Sequence, residues 1–167
     1  VTQECTNRFL RFDGRKGKHL MLPTRDDKRI DLKRTPILKW KWRVFQCPEG
    51  GNEGSKKRND SAAGVYVLFG MKMFRIPKVI KYCWSSTLEP GTALSRNHGG
   101  LKIMVLESGE ERQGQWVSFS RNLAEDYRRF FGKKMPQRPV AILILSDADG
   151  TKSRAIADYD DLELHAE

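Results

Sequence analysis

Thr35-Pro36-Ile37-Leu38-Lys39-Trp40-Lys41-Trp42-Arg43-Val44-Phe45 is the stretch that decides how this sequence folds. From Leu38 to Val44 apolar and basic residues alternate without a break. Leu38, Trp40, Trp42 and Val44 point one way; Lys39, Lys41 and Arg43 point the other. A period of two belongs to a β-strand with one buried and one wet face. Two indoles on the apolar side bring a large area to bury, so the core has to assemble around them. Pro36 suits the start of such a strand, where a missing amide hydrogen is tolerated.

Downstream of this strand, residues 48–60 read as a long loop carrying Gly50-Gly51, Gly54 and the basic triplet Lys56-Lys57-Arg58. A structureless stretch of that length in a compact domain is often mobile or functional. The run Val65-Tyr66-Val67-Leu68-Phe69, inside a strand over 63–69, is continuously apolar and is expected to be covered on both faces. A strand over 78–85 follows, then a second loop over 88–100, then strands over 101–106 and 115–119. One helix is well marked, over 122–131. Asn122 is a good N-cap with Glu125 at the capping-box position, Leu123, Tyr127, Phe130 and Phe131 form one apolar stripe, and Gly132 can end it. An apolar strand over 139–145 and an alternating one over 155–165 close the series.

Upstream, residues 7–22 read as two strands joined by the basic turn Asp13-Gly14-Arg15-Lys16-Gly17-Lys18. A polar connection over 25–29 and a short extended piece, Ile30-Asp31-Leu32, lead into the central strand. About eight to ten strands with a single helix make the chain mostly β: an antiparallel, jelly-roll-like β-sandwich forming one domain over 1–167. A parallel sheet would need a crossover helix between most of its strands, and only one helix is available.

The formal net charge of +10 is the unusual bulk property. It favours anionic partners, whether acidic polysaccharide, acidic protein, nucleic acid or an anionic membrane surface, and it also serves simple solubility. No recognisable nucleic-acid motif accompanies it, so no specific nucleic acid is expected. No apolar run is long enough for a transmembrane helix; peripheral membrane association stays compatible. The three cysteines, Cys5, Cys47 and Cys83, match no zinc or CxxC spacing; one pair could form a disulfide in an oxidising compartment, and three free thiols are the alternative.

Several pieces in consistent order resemble the bacterial domain-of-unknown-function family numbered 3047. They are Pro36 to Val44, Asp60-Ser61-Ala62-Ala63 leading into Val65-Tyr66-Val67, Tyr82-Cys83-Trp84-Ser85, and Gly114-Gln115-Trp116-Val117. Asp126-Tyr127-Arg128-Arg129 with Phe131-Gly132, Ser146-Asp147-Ala148-Asp149 and Tyr159-Asp160-Asp161-Leu162 complete the set. The resemblance implies an exported envelope protein whose leader preceded Val1, hence a periplasmic or extracellular location with a cytoplasmic one as the alternative. It also implies an arrangement similar to carbohydrate-binding β-sandwich modules. Gly64 stands where the resemblance implies an arginine.

Candidate chemistry is spread over three groups. Asp147 and Asp149 beside Gly150 offer hard oxygen ligands of the kind calcium takes, and equally suit a turn. Trp84 and Trp116 can stack on sugar rings if they are not core, with Arg96, Asn97 and His98 on a glycine-rich loop as rim groups. Lys39, Lys41 and Arg43 form a basic row suited to phosphate, sulfate or carboxylate, or to the wet face of an outer sheet. No nucleophile elbow, P-loop or dinucleotide fingerprint is present, and the three histidines show no metal spacing. The expected function is therefore a non-catalytic exported module binding an anionic glycan or envelope polymer. The alternatives are an accessory subunit docking its basic surface onto an envelope or membrane assembly, and a hydrolase working through the Asp147 region.

Overall fold

The computed structural model describes residues 1–24, 26–27, 30–70 and 77–167. Arg25, Lys28 and Arg29 lie outside the described residues, so the polar connection read over 25–29 is only partly covered. Two sheets pack face to face. One has five strands in the order β1 (Thr2–Glu4), β2 (Asn7–Gly14), β11 (Ala155–His165), β4 (Ile37–Gln46), β9 (Val117–Asn122). The other has six, in the order β3 (Lys18–Pro23), β10 (Ala141–Ser146), β5 (Ala63–Phe69), β6 (Lys78–Ser85), β8 (Leu101–Ser108), β7 (Ala93–Arg96). A single helix, α1 (Leu123–Phe131), follows β9 directly. This is the mostly β, jelly-roll-like sandwich that the alternating strand foretold.

Trp40 and Trp42 are fully enclosed between the layers. Trp40 meets Tyr82 of the opposite sheet at 5.4 Å between ring centroids and Phe119 of β9 at 5.8 Å. Burying aromatic area on this scale is the main reason the layers close. Tyr82 also donates its hydroxyl to Asp126 at 2.7 Å, and Asp126 pairs with Arg121 of β9. One buried carboxylate thus ties both sheets to the first turn of α1. The helix begins as its sequence dictates, with the Asn122 side chain accepting from the amides of Ala124 and Glu125, and ends at Gly132 in the left-handed region. Tyr127 packs edge-on against Phe69 at 4.8 Å.

Four features differ from expectation. β6 and β8 run parallel, so the six-stranded sheet is mixed; the chain reaches β8 by looping out through the edge strand β7, which lies in what reads as a plain loop. β1 also pairs unannounced, because three residues carry no periodicity. Ile30-Asp31-Leu32 is no strand. Leu32 is instead a buried plug in a turn, its amide bonded to the Gln137 carbonyl at 2.8 Å. Finally, β2 and β3 fall in different sheets, which makes the basic turn between them a corner joining the layers.

The alternation read over 155–165 holds only as far as Asp160. A bulge between Asp160 and Glu163, with Asp161 at φ +50°, shifts the register against β4. Ala157 and Tyr159 face the core before it, and Leu164 does so after it. An extra residue in a strand inverts which residues face inward beyond it. Leu162, at the bulge, is left at the rim of the sandwich.

Candidate functional site

β5 and β6 present Gly64, Tyr66, Lys81 and Cys83 on the outer face of the six-stranded sheet, paired Gly64 to Cys83 and Tyr66 to Lys81. Lys81 is buried, which an ammonium tolerates only with partners. Its Nζ donates to Ser61 Oγ at 2.7 Å and lies 5.4 Å from the Tyr66 ring centroid. Ser61 in turn donates to Glu53 Oε1 at 2.6 Å, and Ser85 donates to Glu53 Oε2 at 2.6 Å. Burial opposes the charge on Lys81, but its neighbours Tyr66, Cys83 and Glu53 more than offset this and hold its pKa above the ordinary lysine value.

Glu53 arrives from the long loop over 48–60, which is pinned to the sheet edge. Arg96 of β7 donates one nitrogen to the carbonyls of Glu53 at 2.8 Å and Ser55 at 2.9 Å. The loop and the sheet enclose a polar pocket of about 150 Å³. Tyr66, Lys81 and Glu53 form its floor, and Asn59, Asn97 and Asp147 stand on its rim. Gly64 leaves room here: a Cβ would lie 2.9 Å from the Tyr66 ring and 3.2 Å from the Leu145 carbonyl oxygen, so the ring would have to shift.

Beside the pocket, carboxylate oxygens of Asp60, Asp147 and Asp149 lie within 4.8 Å of one another. Asp60 is fully buried and already serves the backbone, accepting from the amides of Gly150 at 3.2 Å and Thr151 at 2.6 Å and from the Thr151 hydroxyl at 2.6 Å. Burial raises the pKa of Asp147 above the ordinary carboxylate value; accepting from the Asp149 amide works the other way, while the charges of Asp149 and Asp60 add to the rise. A cation held here would take its oxygens from Asp147 and Asp149, with Asp60 behind them.

The outer face of the five-stranded sheet carries the basic row. Lys39, Lys41 and Arg43 do share that face, but carboxylates of β1 and β11 meet two of them. Arg43 donates to Asp158 at 2.7 and 3.0 Å and to Glu4 at 2.9 Å. Arg11 grips the same Asp158 at 2.7 and 2.9 Å. Lys41 pairs with Asp161 at 2.8 Å and Asp160 at 3.3 Å. Lys39 is exposed opposite Glu163. Trp116 lies half-buried beneath the row, its ring 4.6 Å from the Arg43 guanidinium carbon and 5.2 Å from Lys41 Nζ.

Comparison with known proteins gives one decisive match. A family model described as "Protein of unknown function (DUF3047)" covers residues 15–163. The chain belongs to the DUF3047 family. No curated protein matches it significantly. Among solved structures, the Loop Swap mutant of Necallimastix patriciarum Xyn11A is similar over 90% of this chain and 76% of that one, at 11% identity and a TM-score of 0.44.

On this DUF3047 member, the residues nominated from sequence separate. Arg96, Asn97 and Asp147 converge on the polar pocket, with Asp149 next to it. Lys41, Arg43 and Trp116 converge on the opposite sheet. Trp84 joins neither, being wholly buried with its Nε1 donating to the Gly109 carbonyl at 3.0 Å. His98 is exposed in a short left-handed turn beside Asn97. The three cysteines are separate free thiols, with Cys5 exposed and Cys83 buried under the pocket. Sequence reasoning missed Glu53, Ser61, Tyr66 and Lys81. The usable signal was Lys81, a lone charge inside Val79-Ile80-Lys81-Tyr82-Cys83-Trp84, where a strand covered on both faces has to supply a partner.

Proposed function

We propose that this DUF3047 chain is a non-catalytic binding module for an acidic glycan or comparable envelope polymer, read by the polar pocket on the six-stranded sheet. The carrying observation is the composition of that pocket: a phenol ring, a charged ammonium at its floor, and two amides and a carboxylate on its rim. A sugar residue needs a flat face for its C–H groups and interleaved donors and acceptors for its hydroxyls, while Lys81 meets an acid group. The exposed triplet Lys56-Lys57-Arg58 leads straight into rim residue Asn59, adding positive charge at the approach. Ser61 is fully buried, out of reach of a substrate bond, which favours a binding role over a nucleophilic one. Export would place such a module among acidic envelope polymers.

Retention on immobilised acidic and neutral polysaccharides, at low and high salt, tests the reading. Salt-sensitive retention on an acidic polymer is expected, weakened about tenfold or more by Asn59→Ala or by Asn97→Gly, which keeps the left-handed turn. Trp116→Ala should leave it unchanged. Absence of retention on every acidic polymer, or retention indifferent to the pocket variants and abolished by Trp116→Ala, overturns it.

A further inference from the structure

A second cavity lies elsewhere, between the layers rather than outside them. β3 is the edge strand of the six-stranded sheet, and all six of its residues are exposed. Register with β10 places Leu20 beside Ile144 and Leu22 beside Ile142, on the face turned toward the other sheet. Yet Leu20 and Leu22 are 57% and 54% exposed, because the layers do not close over them. The opening is an apolar cavity of about 290 Å³ bounded by Leu10, Leu20, Leu22, Ile142, Ile144 and Leu162. It continues into a second space of about 210 Å³ that shares Leu10, Leu20, Ile144 and Tyr159 and ends at Lys18 and His19.

Charge is distributed unevenly along this slit. At the Leu162 end, the carboxylates of Asp160 and Asp161 are balanced by Lys41, which pairs with both, and by Arg8, which lines the same cavity. At the other end stands Lys18, for which no ion-pair partner is found among the described residues; the Arg11 guanidinium beside it is taken by Asp158 on the outer face. The basic corner residues Arg15 and Lys16, both exposed, are close in sequence to Lys18. A narrow apolar channel with a cationic mouth is complementary to one kind of small molecule. We propose that the slit between β3–β10 and β2–β11 binds the chain of a straight-chain fatty carboxylate, with its head group at Lys18 and its tail running toward Leu162.

The bulge at Asp160–Glu163 has a direct part in this. By interrupting the alternation it leaves Leu162 on the lip of the slit instead of in the outer row. Trp40 lines the same cavity, and its buried Nε1 has no hydrogen-bond partner among the described residues. That indole therefore reports on filling of the slit. The site is independent of the polar pocket, which lies on the far face of the six-stranded sheet.

The test is titration of the whole chain with a homologous series of saturated straight-chain carboxylates below their micellar concentrations, followed by calorimetry and tryptophan fluorescence. Affinity should rise about fourfold per added methylene and level off once the chain outgrows the slit. Lys18→Glu should weaken the carboxylates at least fivefold and leave the matching alcohols unchanged. Ile144→Trp, which fills the slit, should abolish saturable binding, and Leu20→Glu at the exposed lip should do so without touching the core. The fluorescence change should vanish in Trp40→Phe while calorimetric binding persists. Absence of chain-length dependence overturns the proposal. So does binding confined to intact anionic vesicles and indifferent to Ile144→Trp, which would make β3 a membrane-docking edge instead.

Discussion

The Tyr159 hydroxyl, carried by the five-stranded sheet, accepts the Gly64 amide of the six-stranded sheet at 3.0 Å. The same hydroxyl donates to the Leu145 carbonyl at 2.9 Å and lies 2.8 Å from Ser146 Oγ. β5 and β10 are neighbours here, so the phenol enters the ladder between two strands and satisfies backbone groups they leave open. Tyr159→Phe deletes the oxygen and strands the Gly64 amide in the interior. The expected loss is about 1–3 kcal/mol, read as a lower midpoint in urea with an unchanged m value. An unaltered midpoint would show that the tether carries no stability.

Asp158 answers two guanidinium groups at once and is fully buried. Asp158→Ala leaves Arg43 with only Glu4 and Arg11 with little, and should cost about 3–5 kcal/mol. Lys41→Ala removes a pair that keeps contact with water, and should cost under about 1 kcal/mol. Equal losses in the two variants would contradict this ranking, and chemical denaturation measures both.

Asp147 supplies a pH test with a definite sign. Its folded pKa is raised by burial, so the native state binds the proton more tightly than the unfolded chain does. Stability from this group therefore falls as pH rises through the window just above the ordinary carboxylate value, and the cost persists at neutral pH. Asp147→Asn should raise the melting temperature at neutral pH and have no such effect near about pH 3, below the ordinary Asp value. A gain of the same size at both pH values would exclude the charge as its cause.

The thiols should titrate unequally. Burial pushes Cys47 up to about 11, and Cys83 is fully enclosed with its pKa raised by burial as well. Cys5 is exposed. A native thiol titration should consume one equivalent rapidly, with the other two released only by denaturant. Cys5→Ser should remove the fast phase altogether.

How much of this could be read beforehand follows from where the period survives. Leu38 to Val44 has one apolar face and Leu123 to Phe131 one apolar stripe, so burial, element type and even the Asn122 cap follow from spacing. The parallel register of β6 and β8 does not, since both strands are apolar on both faces and nothing local tells a neighbour's direction. The basic row was legible as geometry but not as charge. Its carboxylate partners come from Glu4 and from Asp158 to Asp161, more than a hundred residues away from the row in the latter case. Glu53 was hidden for a different reason. A glycine-rich loop imposes no period, so nothing in it marks which side chain turns inward.

β11 lies between β2 and β4, although it is made after every other described strand. During synthesis the five-stranded layer therefore exists for most of its life as two separate pieces, each with an open edge. Arg11 and Arg43 sit on those edges with no carboxylate from β11 to face. Chains emerge at about 5–20 residues per second, so this interval lasts seconds. Through it, the charges of β2 and β4 repel one another and discourage the two edges from joining directly, which would lock out the last strand. The arginines that share Asp158 in the finished sheet are thus expected, earlier, to keep its seat vacant.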